Sequence, residues 1–357
     1  MDLDKAPFKR CASPLLSRNL LALFLINVAS PAHGLVIQAT FDSSITSDPN
    51  AAAIERTINA AIAVYEAKFS DPITVTIKFQ ETTTGLGLSS WWYYEIPYRQ
   101  YYTNLLADAK SSDDAIALAH LPAGANNPVT GTTTIWVKTA NLRAIGITGM
   151  NSGLAGGVDG IISLNIAIMN LSRPPASPSK YDLMAVVEHE IDEVLGLASA
   201  LPSVTTPLPE DLFRYQSRGN RSFTTSGDNA RFSINGTTFL ARFNQNSAGD
   251  YGDWWTAGAH TPQVQDAFFT AGATPELGVE LTALDVIGYD PSPRLAITHG
   301  GAGQWVISWT PATAGFVLQQ STNLVSGRWT NSVSGSTNPV TVSATSIPGK
   351  FYRVRHP

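Results

Sequence analysis

The chain of 357 residues contains 43% apolar and 14% charged residues and carries a formal net charge of -5. This composition is typical of a well-packed globular protein and excludes a largely disordered chain. The Lys and Arg residues are scattered and form no basic stripe, so nucleic acid is not expected as a partner.

The N-terminal segment has the pattern of an export signal. Four basic residues precede the apolar run LLALFLINVA, and the small residues Ala32 and Gly34 follow it. The run is too short to span a bilayer, and the flanking charges and small residues favour a signal peptide over a buried N-terminal helix. We therefore predict a signal peptide over residues 1–34, no membrane span, and a secreted protein that is extracellular or periplasmic.

The cysteine content restricts the kinds of site that are possible. Cys11 is the only cysteine, and it lies within the predicted signal peptide. A mature chain without it can form neither a disulfide nor a thiolate metal site, so any metal ion must be held by His, Asp or Glu. An exported protein of this size without disulfides fits a bacterial source better than an animal one.

Strands and helices are expected to alternate after the signal. LVIQATFDSSI alternates like a strand, NAAAIERTINAAIAVYEAKF has apolar residues at helical spacing, and ITVTIKFQET alternates again. A second helical stretch, YRQYYTNLLADAK, leads through SDDAIALAHLP to the strand-like TTTIWVKTANLRAIG. This order predicts an α/β layer with a mixed sheet.

The run GVDGIISLNIAIMNL is strongly β-prone from Ile161 onward. We predict that it forms an edge strand of the sheet. The Pro- and Ser-rich segment SRPPASPSKYD then breaks the chain, and the next helix is expected to begin near Asp182.

The rest of the chain divides into two parts. Residues 201–293 contain many turns and short aromatic segments, and TALDVIGYD closes them with a short helix. The linker PSPRL is followed by six short alternating segments, from LAITHG to KFYRVRH, which predict an all-β sandwich. The predicted domains are therefore a larger one over residues 35–292 and this module over residues 294–357.

The segment VVEHEIDEVLGLAS, residues 186–199, carries the candidate site. His189 and Glu193 are one helical turn apart, so their side chains can bind a single ion, and Glu190 lies close enough to act on water at that ion. The apolar residues of the helix form a stripe that faces the core, away from His189 and Glu193. Gly196 is expected to end the helix.

The alternative interpretation of this helix is a solvated acidic face. However, MAVVEHEIDEVLGLAS is too apolar for a surface helix, so the charged side chains of Glu190, Asp192 and Glu193 need buried partners. Because an unpaired buried charge is costly, a metal ion is one such partner.

The motif and its context resemble the secreted bacterial zinc metalloproteases of the metzincin-like zincin class, whose helix carries H-E-I-G-H-x-L-G. The resemblance extends from about Leu35 to Asp290 and includes DGIISLN, DLFRY, FSINGTT, GDYGDW and TALDVIGYD. It implies a zincin-like catalytic domain of the α+β or α/β class, with a mixed sheet and a motif-bearing helix, joined to a small all-β sandwich. That sandwich resembles the immunoglobulin or fibronectin type III modules of secreted bacterial proteins, which implies contact with a cell surface or a polysaccharide.

By this resemblance, His189 is the first metal ligand and Glu190 is the general base, whereas Glu193 stands where the family has its second histidine. The segment GDW offers Asp253 at the place of the third ligand. The position where many members of the family have a further histidine is Ser199 here. The family's Met-turn also has no match, since no methionine stands shortly before LTALDVIGYD.

The third ligand has more than one candidate in the sequence. His260 is the alternative to Asp253, because it is the only histidine between the motif and the linker. The acids Glu210 and Asp211 also suit a downstream ligand, although Asp211 can equally cap a helix. Zinc is the expected ion, and a set of one histidine and two carboxylates also admits calcium or manganese. Such a set lowers the Lewis acidity of the ion.

These features predict a secreted endopeptidase that hydrolyses peptide bonds with metal-activated water and Glu190 as general base. An extended polypeptide substrate is expected to pair with the predicted edge strand at Ile161, Ile162 and Leu164. The alternative is a non-catalytic extracellular binding or adhesion protein that keeps the zincin fold around a structural ion. In that case SSWWYYEIPYRQYY and DWW would form a carbohydrate or partner surface.

Overall fold

The structure is a computed structural model that describes residues 34–226, 229–258, 260–301, 303–312, 316–323, 328–343 and 350–355. The predicted signal peptide, apart from Gly34, lies outside the described residues. Within these residues, no helix is both long enough and apolar enough to cross a membrane.

The described residues combine helices and strands throughout the larger part of the chain. The helices are α1 (Ser43–Thr46), α2 (Ala51–Lys68), α3 (Tyr98–Asp108), α4 (Ser112–Ala119), α5 (Thr139–Ala144), α6 (Leu183–Leu195) and α7 (Val279–Val286). Short 3-10 helices are formed by Ala155–Gly157, Ile166–Ile168 and Pro209–Phe213.

The strands are short and belong to several small sheets. In the first part of the chain they are β1 (Val36–Phe41), β2 (Thr74–Glu81), β3 (Gly87–Trp91), β4 (Tyr93–Pro97), β5 (Thr134–Lys138), β6 (Gly160–Leu164), β7 (Met169–Asn170) and β8 (Tyr181–Asp182). They continue with β9 (Arg214–Ser217), β10 (Asn220–Arg221), β11 (Arg231–Phe232), β12 (Ala241–Arg242), β13 (Arg294–Gly301), β14 (Gln304–Thr310), β15 (Val317–Ser321), β16 (Thr330–Asn331), β17 (Val340–Ser343) and β18 (Phe351–Arg355).

The main sheet has the strand order β1-β2-β6-β3. β1, β2 and β6 run parallel, and β3 pairs antiparallel with β6. The alternation in β2 buries Val75, Ile77 and Phe79, as expected for a strand with one face on the core. The predicted β-α-β opening and mixed sheet are confirmed, and the chain belongs to the mixed α+β class.

The prediction that the run from Ile161 forms an edge strand is wrong. β6 is an interior strand, paired with β2 on one side and with β3 on the other, and Ile162 and Leu164 are fully buried. The sequence of a strand that is buried on both faces is typically a continuous apolar run, whereas a strand with one face in solvent alternates apolar and polar residues. The two edge strands of this sheet are β1 and β3, so Ile161, Ile162 and Leu164 have no free strand edge to offer an extended substrate.

The motif helix α6 begins and ends where the sequence predicts. The Asp182 side chain accepts hydrogen bonds from the backbone N–H of Met184 (2.9 Å) and Ala185 (3.4 Å), which caps the first turn. Gly196 follows the last helical residue with a φ of 158°, and a Cβ there would lie 2.7 Å from Ile287 Cδ1. Gly196 therefore permits close packing at the helix end.

The alternative of a solvated acidic face on α6 is also wrong. The helix packs against α2, β3 and β6, and its four acidic residues are all buried, with exposed fractions of at most 9%. They are Glu188, Glu190, Asp192 and Glu193. Acids in such a position need compensating partners.

The residues from Arg294 onward form only strands in the described parts of the chain. Two three-stranded antiparallel sheets, β13-β14-β17 and β16-β15-β18, lie around a small apolar cluster. The cluster is formed by Ile307, Trp309, Leu318 and Tyr352, and it is separate from the core of the larger part.

Candidate metal centre

Three predicted ligands come together at one point of the structure. The Nε2 atom of His189 lies 3.9 Å from Glu193 Oε1 and 3.8 Å from Asp253 Oδ1. One ligand atom from each of the three residues lies within 4.8 Å of the others. His189 and Glu193 come from adjacent turns of α6, and Asp253 comes from the loop that precedes Trp254. Among the described residues, no other set of three or more His, Cys, Asp or Glu side chains brings its ligand atoms this close together.

The orientation of His189 leaves its Nε2 atom free for a ligand. Its Nδ1 atom is 2.9 Å from the backbone oxygen of Val264. A carbonyl oxygen can only accept, so Nδ1 must carry the proton of the neutral ring and Nε2 keeps its lone pair. The ring also packs edge-on against Phe269, with centroids 5.8 Å apart.

Both carboxylate ligands are held by side chains from other segments. Ser89 Oγ on β3 donates to Glu193 Oε2 at 2.5 Å, and Gln265 Nε2 donates to Asp253 Oδ1 at 2.9 Å. Glu193 keeps Oε1, the atom that faces His189, outside its bond to Ser89. Hydrogen bonds of this type fix the direction of metal ligands.

Glu190 lies next to the ligands in an open cleft of about 420 Å³. Its side chain borders β3, where a Cβ at position 87 would lie only 2.3 Å from Glu190 Oε1. Glycine at position 87 therefore lets the strand pass close to this carboxylate. The general-base candidate and the ligand group consequently share one cleft.

The electrostatics of the site are those of crowded acids. Burial opposes the charged form of His189, but Asp253, Glu190 and Glu193 outweigh it and raise the pKa of His189 to about 10. Burial raises the pKa of Asp253 to about 8, against the effect of His189. Burial, followed by the charge of Glu193, raises the pKa of Glu190 well above its ordinary value. Without a bound cation, His189, Glu190 and Asp253 therefore tend to keep their protons.

Lys138 supplies a buried positive charge beneath the site. Its Nζ atom donates to the backbone oxygens of Glu193 (2.5 Å) and Leu197 (3.1 Å) at the end of α6. It also lies 3.9 Å from the centre of the Trp91 ring. Burial lowers the pKa of Lys138 to about 8, although Glu193 and Glu210 oppose this shift. At neutral pH the ammonium therefore offsets part of the acidic charge.

The donor set fits a divalent cation. A histidine nitrogen and two carboxylate oxygens are ligands that zinc accepts, with an open position left for water. The separations of 3.8 and 3.9 Å exceed the spacing of about 3.4 Å between two ligands of a tetrahedral zinc ion. The three ligand atoms lie within 4.8 Å of one another, so the side chains would move closer together around an ion. The histidine ligand favours zinc or manganese over calcium.

The alternative third ligands lie elsewhere. His260 Nε2 is 2.8 Å from Asp266 Oδ2, and His260 is not in the ligand group. Asp211 accepts hydrogen bonds from Ser199 Oγ and from the backbone N–H of Ala200, so it organises the chain after α6. Glu210 is fully buried and is also outside the group.

Several residues that shape the site were not found from the sequence. These are Lys138, Ser89, Gln265, Gly87 and Val264, the last through its backbone oxygen. Only Lys138 carried a signal, because a lysine directly after the strand pattern TIWV sits where burial is expected. The other four act through contacts between distant segments.

The two aromatic segments that were considered as a binding surface differ in exposure. Trp254 of DWW is buried at 2% and belongs to the core, whereas Trp255 is half-buried. In SSWWYYEIPYRQYY, Tyr98 and Tyr101 are fully buried, whereas Trp92 and Tyr93 are about 40% exposed.

Comparison with known proteins identifies no relative of this chain. No protein-family model, no curated protein and no solved structure matches the chain.

Proposed function

We propose that this chain is a metal-dependent endopeptidase with a zincin-like catalytic domain. The observation that carries the proposal is the position of Glu190 in the same cleft as His189, Glu193 and Asp253, whose ligand atoms lie within 4.8 Å of one another. A general base beside an open cation site is the arrangement needed for metal-assisted hydrolysis.

Each residue has a separate role in this proposal. His189, Glu193 and Asp253 hold the ion, which is zinc or, alternatively, manganese or calcium. When bound, the ion polarises the scissile carbonyl and lowers the pKa of water. Glu190 takes the proton of the attacking water and passes it to the leaving amine.

The substrate in this proposal is an extended polypeptide that pairs with β3. This strand has a hydrogen-bonded neighbour, β6, on one side only within the described sheet. Gly87 of β3 borders Glu190, and Ser89 binds Glu193. A peptide added to the outer edge of β3 would therefore pass the ligand group, with main-chain hydrogen bonds holding it in place.

The setting of the enzyme is also part of the proposal. Export by the predicted signal peptide would place it outside the cytoplasm, and the C-terminal strands, proposed as an immunoglobulin-like or fibronectin-like module, would contact a cell surface or a polysaccharide. Fold similarity alone does not establish such a role, so the catalytic proposal depends only on the site.

The test is hydrolysis of a peptide library by the full chain with defined metal content. We expect cleavage with zinc, loss of cleavage after chelation, and recovery when zinc is returned. Calcium and manganese are added separately to identify the ion. A protein that binds one ion but cleaves no peptide would overturn the endopeptidase proposal and favour an extracellular binding protein with a structural ion.

A further inference from the structure

The charged side chains that line the cleft at His189 all share one sign. Apart from His189 itself, they are acidic, and no Lys or Arg of the described residues lines the cleft. The five acids are Glu190, Glu193, Asp250, Asp253 and Asp266. A cleft with walls of one sign concentrates ligands of the opposite sign.

Three of the five acids are already engaged within the protein. Glu193 accepts a hydrogen bond from Ser89, Asp253 accepts one from Gln265, and Asp266 pairs with His260. A divalent cation would balance Glu193 and Asp253. This leaves Glu190, which has its own role toward water, and Asp250.

Asp250 differs from the other acids because its carboxylate faces solvent. Its side chain is exposed, and no hydrogen bond or ion pair to it is formed in the described part of the chain. Its backbone oxygen, in contrast, is held by Asn244 Nδ2 at 2.9 Å. The charge of Asp250 also raises the pKa of Glu190 and Asp253, which places it within electrostatic range of both.

An apolar wall lies beside this carboxylate. Leu88 and Phe268 line the cleft and are 61% and 40% exposed, which is unusual for large apolar side chains. A Cβ at Gly249 would lie 3.0 Å from Phe268 Cζ, so this ring is directly next to the residue before Asp250. The cleft therefore offers an apolar surface and a free negative charge side by side.

We propose that the cleft selects peptides in which a lysine or arginine lies near an aromatic or aliphatic residue, and that Asp250 is the specificity-determining carboxylate. The inference rests on the proposed function and names the substrate class of that site. The basic side chain pairs with Asp250, while the apolar side chain packs on Leu88 and Phe268. An exposed ion pair of this kind changes affinity by about two- to fivefold.

The experiment measures binding, so that hydrolysis and recognition are separated. The full chain carrying Glu190→Gln is loaded with zinc and titrated with peptides that share one apolar sequence and differ only in a Lys, Arg, Gln or Glu residue. We expect Lys and Arg peptides to bind about two- to fivefold more tightly than the Gln peptide, and the Glu peptide to bind most weakly. The preference should shrink as salt is raised, because the pair is exposed.

The variant Asp250→Asn, in the same Glu190→Gln background, should remove the difference between Lys and Gln peptides. The matched control is Glu55→Gln, which neutralises an acid on α2 outside the cleft and should leave the preference unchanged. Equal binding of Lys, Gln and Glu peptides by the protein with Asp250 intact would overturn the inference, as would a preference that persists in Asp250→Asn.

The wild-type chain with the same peptides separates this inference from the proposed function. Cleavage without any charge preference would leave the endopeptidase standing and refute the role of Asp250. A charge preference in binding without any cleavage would support Asp250 and refute the endopeptidase. Neither binding nor cleavage of any peptide would refute both.

Discussion

Glu190→Gln should lower kcat/KM for peptide hydrolysis by about 10²- to 10⁴-fold, the usual contribution of a general base. Gln has nearly the shape of Glu but cannot accept the proton of the attacking water. The residue is 5% exposed and borders Gly87, so the isosteric change should fit without moving β3. The rate is measured on the best substrate of the library with zinc in excess.

The control for this variant is its zinc content, which should equal that of the wild type because Glu190 is outside the ligand group. The exposed acid Glu276, neutralised as Glu276→Gln, should leave the rate unchanged. Hydrolysis by Glu190→Gln at the wild-type rate would remove this residue from the mechanism.

Lys138→Met should destabilise the folded chain by about 3 to 5 kcal/mol, the cost of removing one partner from a buried charged network. The side chain is 1% exposed, and its ammonium donates to two backbone oxygens at the end of α6. Methionine fills much of the volume but leaves both oxygens unpaired and the acids Glu193 and Glu210 without this charge. The free energy of unfolding is measured with urea and tryptophan fluorescence.

A lysine in a less buried position provides the comparison. Lys180 Nζ also donates to a backbone oxygen, that of Ala167, at 3.0 Å near the surface. Lys180→Met should therefore cost no more than about 1 kcal/mol. Equal losses of stability in the two variants would show that Lys138 is not the counter-charge of the site.

The position of α6 could be predicted from the sequence because local signals determine it. Asp182 at the N-cap, the apolar stripe and Gly196 after the last turn are all readable in one window of the chain. The spacing of His189 and Glu193 then follows from helix geometry. The convergence of Asp253 was predicted only through a resemblance, because no local rule connects it with α6.

The order of strands could not be predicted in the same way. β6 has the stronger β-forming sequence, IISL, whereas β3 contains GLSSW, in which glycine and two serines weaken the strand pattern. A continuous apolar strand is typical of a sheet interior, and this should have favoured a central position for β6 over an edge. β3 is the edge strand beside Glu190, and the proposed pairing with a peptide depends on that edge.

The residues that orient the ligands were also beyond sequence analysis. The Val264 oxygen that binds His189 is 75 residues away from it in the chain, and Ser89 is 104 residues away from Glu193. Such contacts depend on the tertiary arrangement of loops. A serine in a weak strand carries no sequence feature that indicates this role.

Burial also bears on why a glutamate stands at position 193. A glutamate without a metal-binding role would be expected to turn its carboxylate to solvent, because an unpaired buried charge is costly. Glu193 instead is 9% exposed, is fixed by Ser89 and has its second oxygen toward His189. We infer that Glu193 acts as a ligand in place of a histidine.

The most direct test of the proposed metal centre is a calorimetric titration of the metal-free full chain with zinc, beside the variant His189→Ala. We predict one ion per wild-type chain and no saturable binding in the variant, because His189 supplies the only nitrogen of the ligand group. Absence of saturable zinc binding in the wild type, or unchanged binding in His189→Ala, would contradict a metal centre at His189, Glu193 and Asp253.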